Sequence, residues 1–231
     1  MISLTGKWAL VTGASRGVGM RIVRAMADHG CNLILHSRSA ESTQELADEL
    51  RTRDITVRSL AAELSDWDQI DALIAAVRQI TNGAPDVLYN NAGIQTSYKE
   101  KFTHAADEYE LCFRVNAIAP AKLCDAFLPA MLERNFGRIV NTTSGIRDQP
   151  EMMPYSVSKA ALERYVRDLV PTLSGTNVLM NLLDPGWLRT DMGGPSAPND
   201  PDTVLPGALV PVLLDEDAGS GKLYNAQDYR E

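Results

Sequence analysis

Lys7-Trp-Ala-Leu-Val-Thr-Gly-Ala-Ser-Arg-Gly-Val-Gly19 is the stretch on which the fold turns. Residues 7–12 form a short, mostly apolar run that reads as a buried strand. Glycines follow at 13, 17 and 19, and Val18, Ile22 and Met26 then recur on one helical face. In a strand–turn–helix unit of this kind, backbone N–H groups and the positive end of a helix dipole face an anion. Glycine permits the tight turn and the close approach of backbone to a pyrophosphate. The spacing differs from Gly-x-Gly-x-x-Gly, and three glycines also serve purely structural turns. Their place between the first strand and the first helix favours phosphate, with Gly13, Ser15, Arg16, Gly17, Val18 and Gly19 nearest the ligand.

The same alternation continues outward. Gly30 stands where the first helix should end. Strands are predicted over 31–37, 55–60, 86–90, 137–143 and 177–183, with an edge strand near 222–224. Helices are predicted over 40–53, 66–80, 103–134 and 154–173. Pro120 predicts a kink in the third of these and Pro129 its end. This rhythm predicts an α/β fold, with one domain over 1–231. Its core is a doubly wound, mostly parallel sheet of about seven strands, with helices on both faces and ligands at the carboxyl ends of the strands. Residues 184–206 hold five prolines and three glycines without a period. They read as a functional loop, and 187–206 as a lid over substrate.

Of the 231 residues, 45% are hydrophobic and 23% charged, which excludes a disordered or fibrous chain. A net charge of −8 disfavours a nucleic acid partner. Cys31, Cys112 and Cys124 include no Cys-x-x-Cys, so neither a disulfide framework nor a metal site is expected. No apolar run approaches about 18 residues and no cleavable leader pattern is present. The expectation is a cytoplasmic chain without a membrane partner.

The end of the second predicted strand reads His36-Ser37-Arg38. A carboxylate there would bind a ribose 2′-hydroxyl and repel a 2′-phosphate. Instead Arg38, beside Ser37 and with Arg16 from the turn, offers a guanidinium clamp for a 2′-phosphate. The cofactor expected is therefore NADP(H). Two solvated surface arginines are the plainer reading. His36 reads as a strand-end residue rather than a ligand.

Further along come Asn90-Asn-Ala-Gly93, Asn116, Ser144, Tyr155-Ser-Val-Ser-Lys159 and Pro185-Gly186. In this order, with the opening turn, the chain resembles the short-chain dehydrogenase/reductase family from about residue 5 to 192. The resemblance implies a Rossmann fold and hydride transfer between NADP(H) and a carbonyl/alcohol pair, with reduction of a ketone or aldehyde as the favoured direction. It implies that Tyr155 is the proton donor, that Ser144 holds the substrate oxygen, that Lys159 also holds the nicotinamide ribose, and that Asn116 organises a proton-relaying water. Glu63, with Leu64 beside it, would lie near the adenine. Asn91, Ala92 and Gly93 would line the adenine-side ribose and the central strand. Pro185, Gly186, Leu188 and Thr190 would contact the nicotinamide end. Four residues apart on a helix, Tyr155 and Lys159 share a face. Lowering a phenol from about 10 to near 7 takes roughly 4 kcal/mol, which a nearby ammonium could largely supply.

Two departures qualify the resemblance. Ser144 stands eleven residues before Tyr155, a shorter step than the family usually shows, so Thr142 or Thr143 could substitute. The tail after 192 is short. Gln95 in 94–98, Met152 and Met153 in 145–153, and Trp187 should wall a site for a neutral, fairly apolar carbonyl or alcohol. A homodimer or homotetramer is expected through 103–134 and 154–173, using apolar area from Phe113, Leu123, Phe127 and Leu169, some of which must face the sheet instead. The alternatives are an NAD-dependent alcohol dehydrogenase and a non-catalytic NADP(H)-binding regulatory module. Sugar epimerases usually have longer chains and a different glycine spacing.

Overall fold

Apolar runs bounded by glycine and turn residues become seven parallel strands in the computed structural model, which describes residues 1–230. They are β1 (Trp8–Val11), β2 (Asn32–Ser37), β3 (Val57–Ala61), β4 (Val87–Asn90), β5 (Gly137–Thr142), β6 (Val178–Asp184) and β7 (Leu223–Asn225). The sheet order is β3-β2-β1-β4-β5-β6-β7. The chain winds outward from β1 in one direction and returns at β4 in the other. The crevice between the carboxyl ends of β1 and β4 is therefore the switch point where such sheets bind ligands.

Two apolar layers cover the sheet. On one face lie α1 (Gly17–Asp28), α2 (Gln44–Arg51) and the short 3-10 segments near the C-terminal end, packed through Ile22, Val23, Leu46 and Leu209. On the other lie α3 (Trp67–Thr81), α5 (Ala119–Glu133) and α6 (Met153–Leu173), packed through Ile70, Phe127 and Val166. Both faces being covered explains why β4 and β5 are buried at every position. At the end of α1, Gly30 (φ +72°) gives its N–H to Ala27, and Cys31 gives its N–H to Met26. This pair of bonds is the helix stop that glycine at this place signals.

The region 103–134 differs from its expected form. It contains α4 (Ala106–Phe113) and α5, joined by a π-turn over Arg114–Ile118. Pro120 has no N–H to return to the Asn116 carbonyl, and the Ala119 N–H reaches back to Arg114 instead. Pro129 does not end the helix, which runs on to Glu133. Pro129 and Asp125, whose carbonyl loses its partner, are both exposed, so water can replace the missing bond.

The stretch Ala106–Glu133 has the length and mean hydropathy (1.2) of a membrane span, but its inward face enters the core. Leu123 and Phe127, expected to support self-association, are fully buried against the sheet. Leu111 and Ile118 face outward in their place. The segment after β6 is folded on itself. Leu188 bridges Asn199, Arg189 holds the Ala197 and Pro198 carbonyls, and the Trp187 indole N–H binds the Gly193 carbonyl at 2.8 Å.

Gly19 sets how closely α1 approaches the opening turn, because an added Cβ would lie 2.1 Å from the Gly13 carbonyl oxygen. Gly19→Ala is expected to cost more than about 2 kcal/mol, the scale of overpacking a tight site. Urea unfolding measures this, and an unchanged midpoint would contradict the close approach.

Candidate active site

The opening turn is braced from within. The Thr12 hydroxyl accepts the N–H groups of Asn91 and Ala92, both at 3.0 Å. The Asn91 carboxamide donates to the carbonyls of Thr12 (2.9 Å) and Gly13 (3.2 Å). A Cβ on Gly13 (φ +67°) would lie 2.9 Å from the Ala92 Cα. Gly17 (φ +57°) lies beneath Thr190, 3.6 Å from its methyl if a Cβ were added. The result is a backbone cradle at the head of α1 that side chains would fill, which fits the pyrophosphate of a dinucleotide.

His36 also serves this turn. Its Nδ1 accepts the Gly13 N–H at 3.4 Å and its Nε2 lies 3.1 Å from the Ala62 carbonyl. These partners require the neutral ring with its proton on Nε2. Burial, opposed by the Ala62 bond and by Glu63, pushes its pKa down to about 4.

Several residues expected at the cofactor also make contacts within the protein. The Asn91 carboxamide faces the turn, where two backbone carbonyls take its donors. Leu64 and Leu188 are buried in the apolar core. One Glu63 oxygen accepts from the Ser65 N–H and hydroxyl. The Ser37 hydroxyl binds the Ser39 carbonyl. Ser15, Val18, Ala92 and Gly93 are partly exposed along the crevice. Arg16 and Arg38 are exposed; Arg16 pairs with Asp191 at 2.9 Å, and Arg38 makes no ion pair among the described residues.

Across the crevice, α6 starts at Met153 with Pro154 in its first turn, where the missing proline N–H costs nothing. Tyr155 and Lys159 then fall one turn apart. The Lys159 ammonium donates to the Thr142 carbonyl at 2.7 Å and lies 5.9 Å from the centre of the Tyr155 ring. From the π-turn, Asn116 donates to the Ile94 carbonyl (2.8 Å) and the Ser158 hydroxyl (3.0 Å), and accepts the Ile94 N–H (2.9 Å). Ser158 donates onward to the Tyr155 carbonyl at 2.7 Å. At Gly93 an added Cβ would lie 3.3 Å from Asn116 Oδ1 and 3.4 Å from Lys159 Nζ, so the three residues meet at one point.

Ser144, not Thr143, is the hydroxyl beside the phenol. Thr143 is spent on Glu163 at 2.7 Å, and the Thr142 hydroxyl is buried without a partner. Burial pushes the Tyr155 phenol above its usual pKa; the Ser144 hydroxyl opposes this, and the Asp184 carboxylate adds to it. Lys159 is not among the causes of this shift. The ammonium faces the Thr142 carbonyl, and burial lowers its own pKa to about 8.

Among the proposed walls, Met152 is half-buried while Met153, Gln95 and Trp187 are exposed. Gln95 binds the Met192 carbonyl and so ties 94–98 to the loop after β6. Sequence reasoning missed Gln227, which donates to the Pro185 carbonyl at 2.7 Å and packs where a Cβ on Gly186 would stand. It also missed Ser158 and Asp184. Asp-Pro-Gly carries a local turn signal that points to Asp184, whereas Gln227 carries none.

Known proteins resemble this chain in both sequence and fold. The short chain dehydrogenase family model matches residues 7–201. The chain is 34% identical over 212 residues to the oxidoreductase UcpA of Salmonella typhimurium, spanning 89% of this chain and 80% of that one. A metagenomic short-chain oxidoreductase solved in complex with NADP superposes with a TM-score of 0.81 at 30% identity, covering 97% of this chain and 99% of that one. A 3-oxoacyl (acyl-carrier-protein) reductase from Agrobacterium tumefaciens C58, solved with NADP bound, gives 0.85 at 26% identity and covers 96% and 93%. Fold and crevice define an oxidoreductase of the α/β dinucleotide-binding class. Within that class the chain belongs to the short-chain dehydrogenase/reductase family.

The His36 geometry has a pH consequence. Its folded pKa lies below the unfolded value of about 6.5, so the unfolded chain binds more protons between the two. Its contribution is complete above about 6.5 and is lost as pH falls through 4, by up to about 3 kcal/mol. Denaturant unfolding between pH 7 and 4 should show this slope, and His36→Asn, which keeps an acceptor for Gly13, should flatten it. An unchanged slope in the variant assigns the effect to other groups.

Proposed function

We propose that the protein reduces a neutral ketone or aldehyde with NADPH, Tyr155 donating the proton. The observation that carries this reading is the buried Tyr155 phenol beside Ser144 and Lys159 at the switch point of the sheet. When bound, the dinucleotide supplies the hydride. The Ser144 hydroxyl and the Tyr155 phenol hold the carbonyl oxygen between them, and Tyr155 passes its proton to that oxygen as negative charge develops. The Lys159 ammonium stabilises the phenolate that remains. Asn116 and Ser158 fix the first turns of α6, so the phenol stays in place without a large reorganisation.

The glycine cradle would hold the pyrophosphate, and Lys159 the nicotinamide ribose. Arg16 and Arg38 would hold the 2′-phosphate, in keeping with the two related structures that bind NADP. Releasing Arg16 from Asp191 is cheap, because both side chains are about two-thirds exposed or more and such pairs contribute little. Met152, Met153 and Trp187 give the substrate mouth broad apolar surfaces.

NADPH consumption by Tyr155→Phe should fall at least tenfold, a barrier rise of about 1.4 kcal/mol or more, with the NADPH dissociation constant within about twofold. Retention of more than a tenth of the rate would remove Tyr155 as donor. Cofactor choice is tested separately. Each guanidinium on the 2′-phosphate is worth about tenfold or more in affinity. Ser37→Asp with Arg38→Ala should therefore shift binding toward NADH by at least that factor. Tighter binding of NADH than NADPH by the unaltered protein overturns the assignment.

A further inference from the structure

We infer that Asp184 is a specificity-determining residue whose unpaired carboxylate oxygen accepts a hydrogen bond from a hydroxyl next to the reacting carbonyl, making the substrate a neutral α-hydroxy ketone or α-hydroxy aldehyde. This inference rests on the carbonyl reduction proposed above and names its substrate class.

Asp184 is the last residue of β6, the strand beside β5. Side chains alternate along a strand. Leu183 packs in the layer of α1, and Leu182 in the layer of α6. Asp184 therefore faces the side of the sheet on which α6 carries Tyr155 and Lys159. One carboxylate oxygen accepts the Gly186 N–H at 2.9 Å and closes the Asp184-Pro185-Gly186 turn. The other has no donor among the described residues, and no lysine or arginine pairs with the side chain.

That second oxygen lies against the residue after Ser144. A Cβ added to Gly145 would stand 2.6 Å from it. Glycine at 145 is what allows the carboxylate to come this close to the catalytic serine. The Tyr155 phenol feels the same charge.

Asp184 is only half-exposed, and an unpaired oxygen there loses water each time a substrate enters. The loss is recovered only if the substrate brings a donor. A plain ketone brings none. A 2-oxo acid brings a second carboxylate, which Asp184 repels. A hydroxyl on the carbon beside the carbonyl supplies the donor without adding charge. In the reaction, hydride adds to the carbonyl carbon and the Tyr155 proton to its oxygen. The neighbouring C–OH is unchanged and the product is a vicinal diol. Sites built to bond a substrate hydroxyl reject analogues that lack it far more strongly than sites that merely tolerate one.

Three four-carbon probes test this: 1-hydroxy-2-butanone, 2-butanone and 2-oxobutyrate. The wild-type kcat/KM is expected to be at least about tenfold higher for the first than for the second, and lowest for the third. Asp184→Asn keeps an acceptor for the Gly186 N–H but replaces the second oxygen by an amide donor. In that variant the ratio of the first two probes should collapse toward one. The alkaline limb of the pH profile should also move to lower pH, because removing an anion lets the Tyr155 pKa fall. Gly145→Ala is the second variant. Its Cβ displaces the carboxylate and should lower the same ratio.

Calorimetric titration of the two ketones into the protein with NADP+ reads binding without turnover. Hydroxyl-dependent binding that persists in Tyr155→Phe and is lost in Asp184→Asn supports the inference even if Tyr155 proves not to be the donor. Equal binding or equal turnover of the two ketones by the wild type overturns it. A preference unchanged in both variants also overturns it. An Asp184→Asn variant that loses NADP+ affinity and affects both ketones alike assigns the carboxylate to the coenzyme and overturns it as well.

Discussion

The Thr12 hydroxyl receives two N–H groups from the exit of β4, and the rest of the crevice is dimensioned by that junction. Thr12 leaves β1 toward the glycine turn, and Asn91 leaves β4 toward the catalytic side. Joining them at their first residues fixes the gap between the glycine cradle and Tyr155 before any side chain of either is placed. Asn91 reinforces the joint by holding the turn's own carbonyls. From there the chain passes Gly93 and Ile94, which Asn116 grips from the π-turn, and Asn116 in turn reaches Ser158 on α6. One continuous set of bonds thus runs from the first strand to the helix of Tyr155. Any displacement of Thr12 is passed to both halves of the site.

The electrostatics follow from burial more than from pairing. Lys159 is fully enclosed and spends its proton on a backbone carbonyl, while Tyr155 is enclosed beside it. Low-dielectric surroundings disfavour the charged form of each, so burial raises the pKa of the phenol and lowers that of the ammonium to about 8. Spacing alone suggests an ammonium that pulls the phenol down. It does not reveal the carbonyl that competes for the same ammonium.

The parts legible in the sequence were those with short-range causes. Apolar runs ended by glycine marked the strands, and Gly30 marked a helix stop. Two side chains four apart marked a shared face. The parts that were not legible depend on partners far along the chain. Nothing near Asn91 shows that its carboxamide donors go to Thr12 and Gly13. Which of Phe113, Leu123, Phe127 and Leu169 face the sheet was open because 103–134 is apolar on more than one side, and only the sheet decides that Leu123 and Phe127 are buried. Gln227 reaches Pro185 from 42 residues away. His36 read as a plain strand end, although its two nitrogens tie β2 to the opening turn and to the segment after β3.

The π-turn at Arg114–Ile118 bears on how this chain tolerates insertions and deletions. A wide turn holds one residue more than the α-helical register needs, and each added residue rotates the rest of the helix by about 100°. The inward faces of α4 and α5 stay in phase only because that surplus residue is kept. A codon lost between 106 and 133 would leave composition and hydropathy almost unchanged. It would still turn Asn116 away from Ile94, or Phe127 away from the sheet, depending on which side of the turn it fell. Along this helix, length is therefore under tighter constraint than residue identity, and homologous helices should be aligned with the surplus residue placed at the turn rather than spread along the gap.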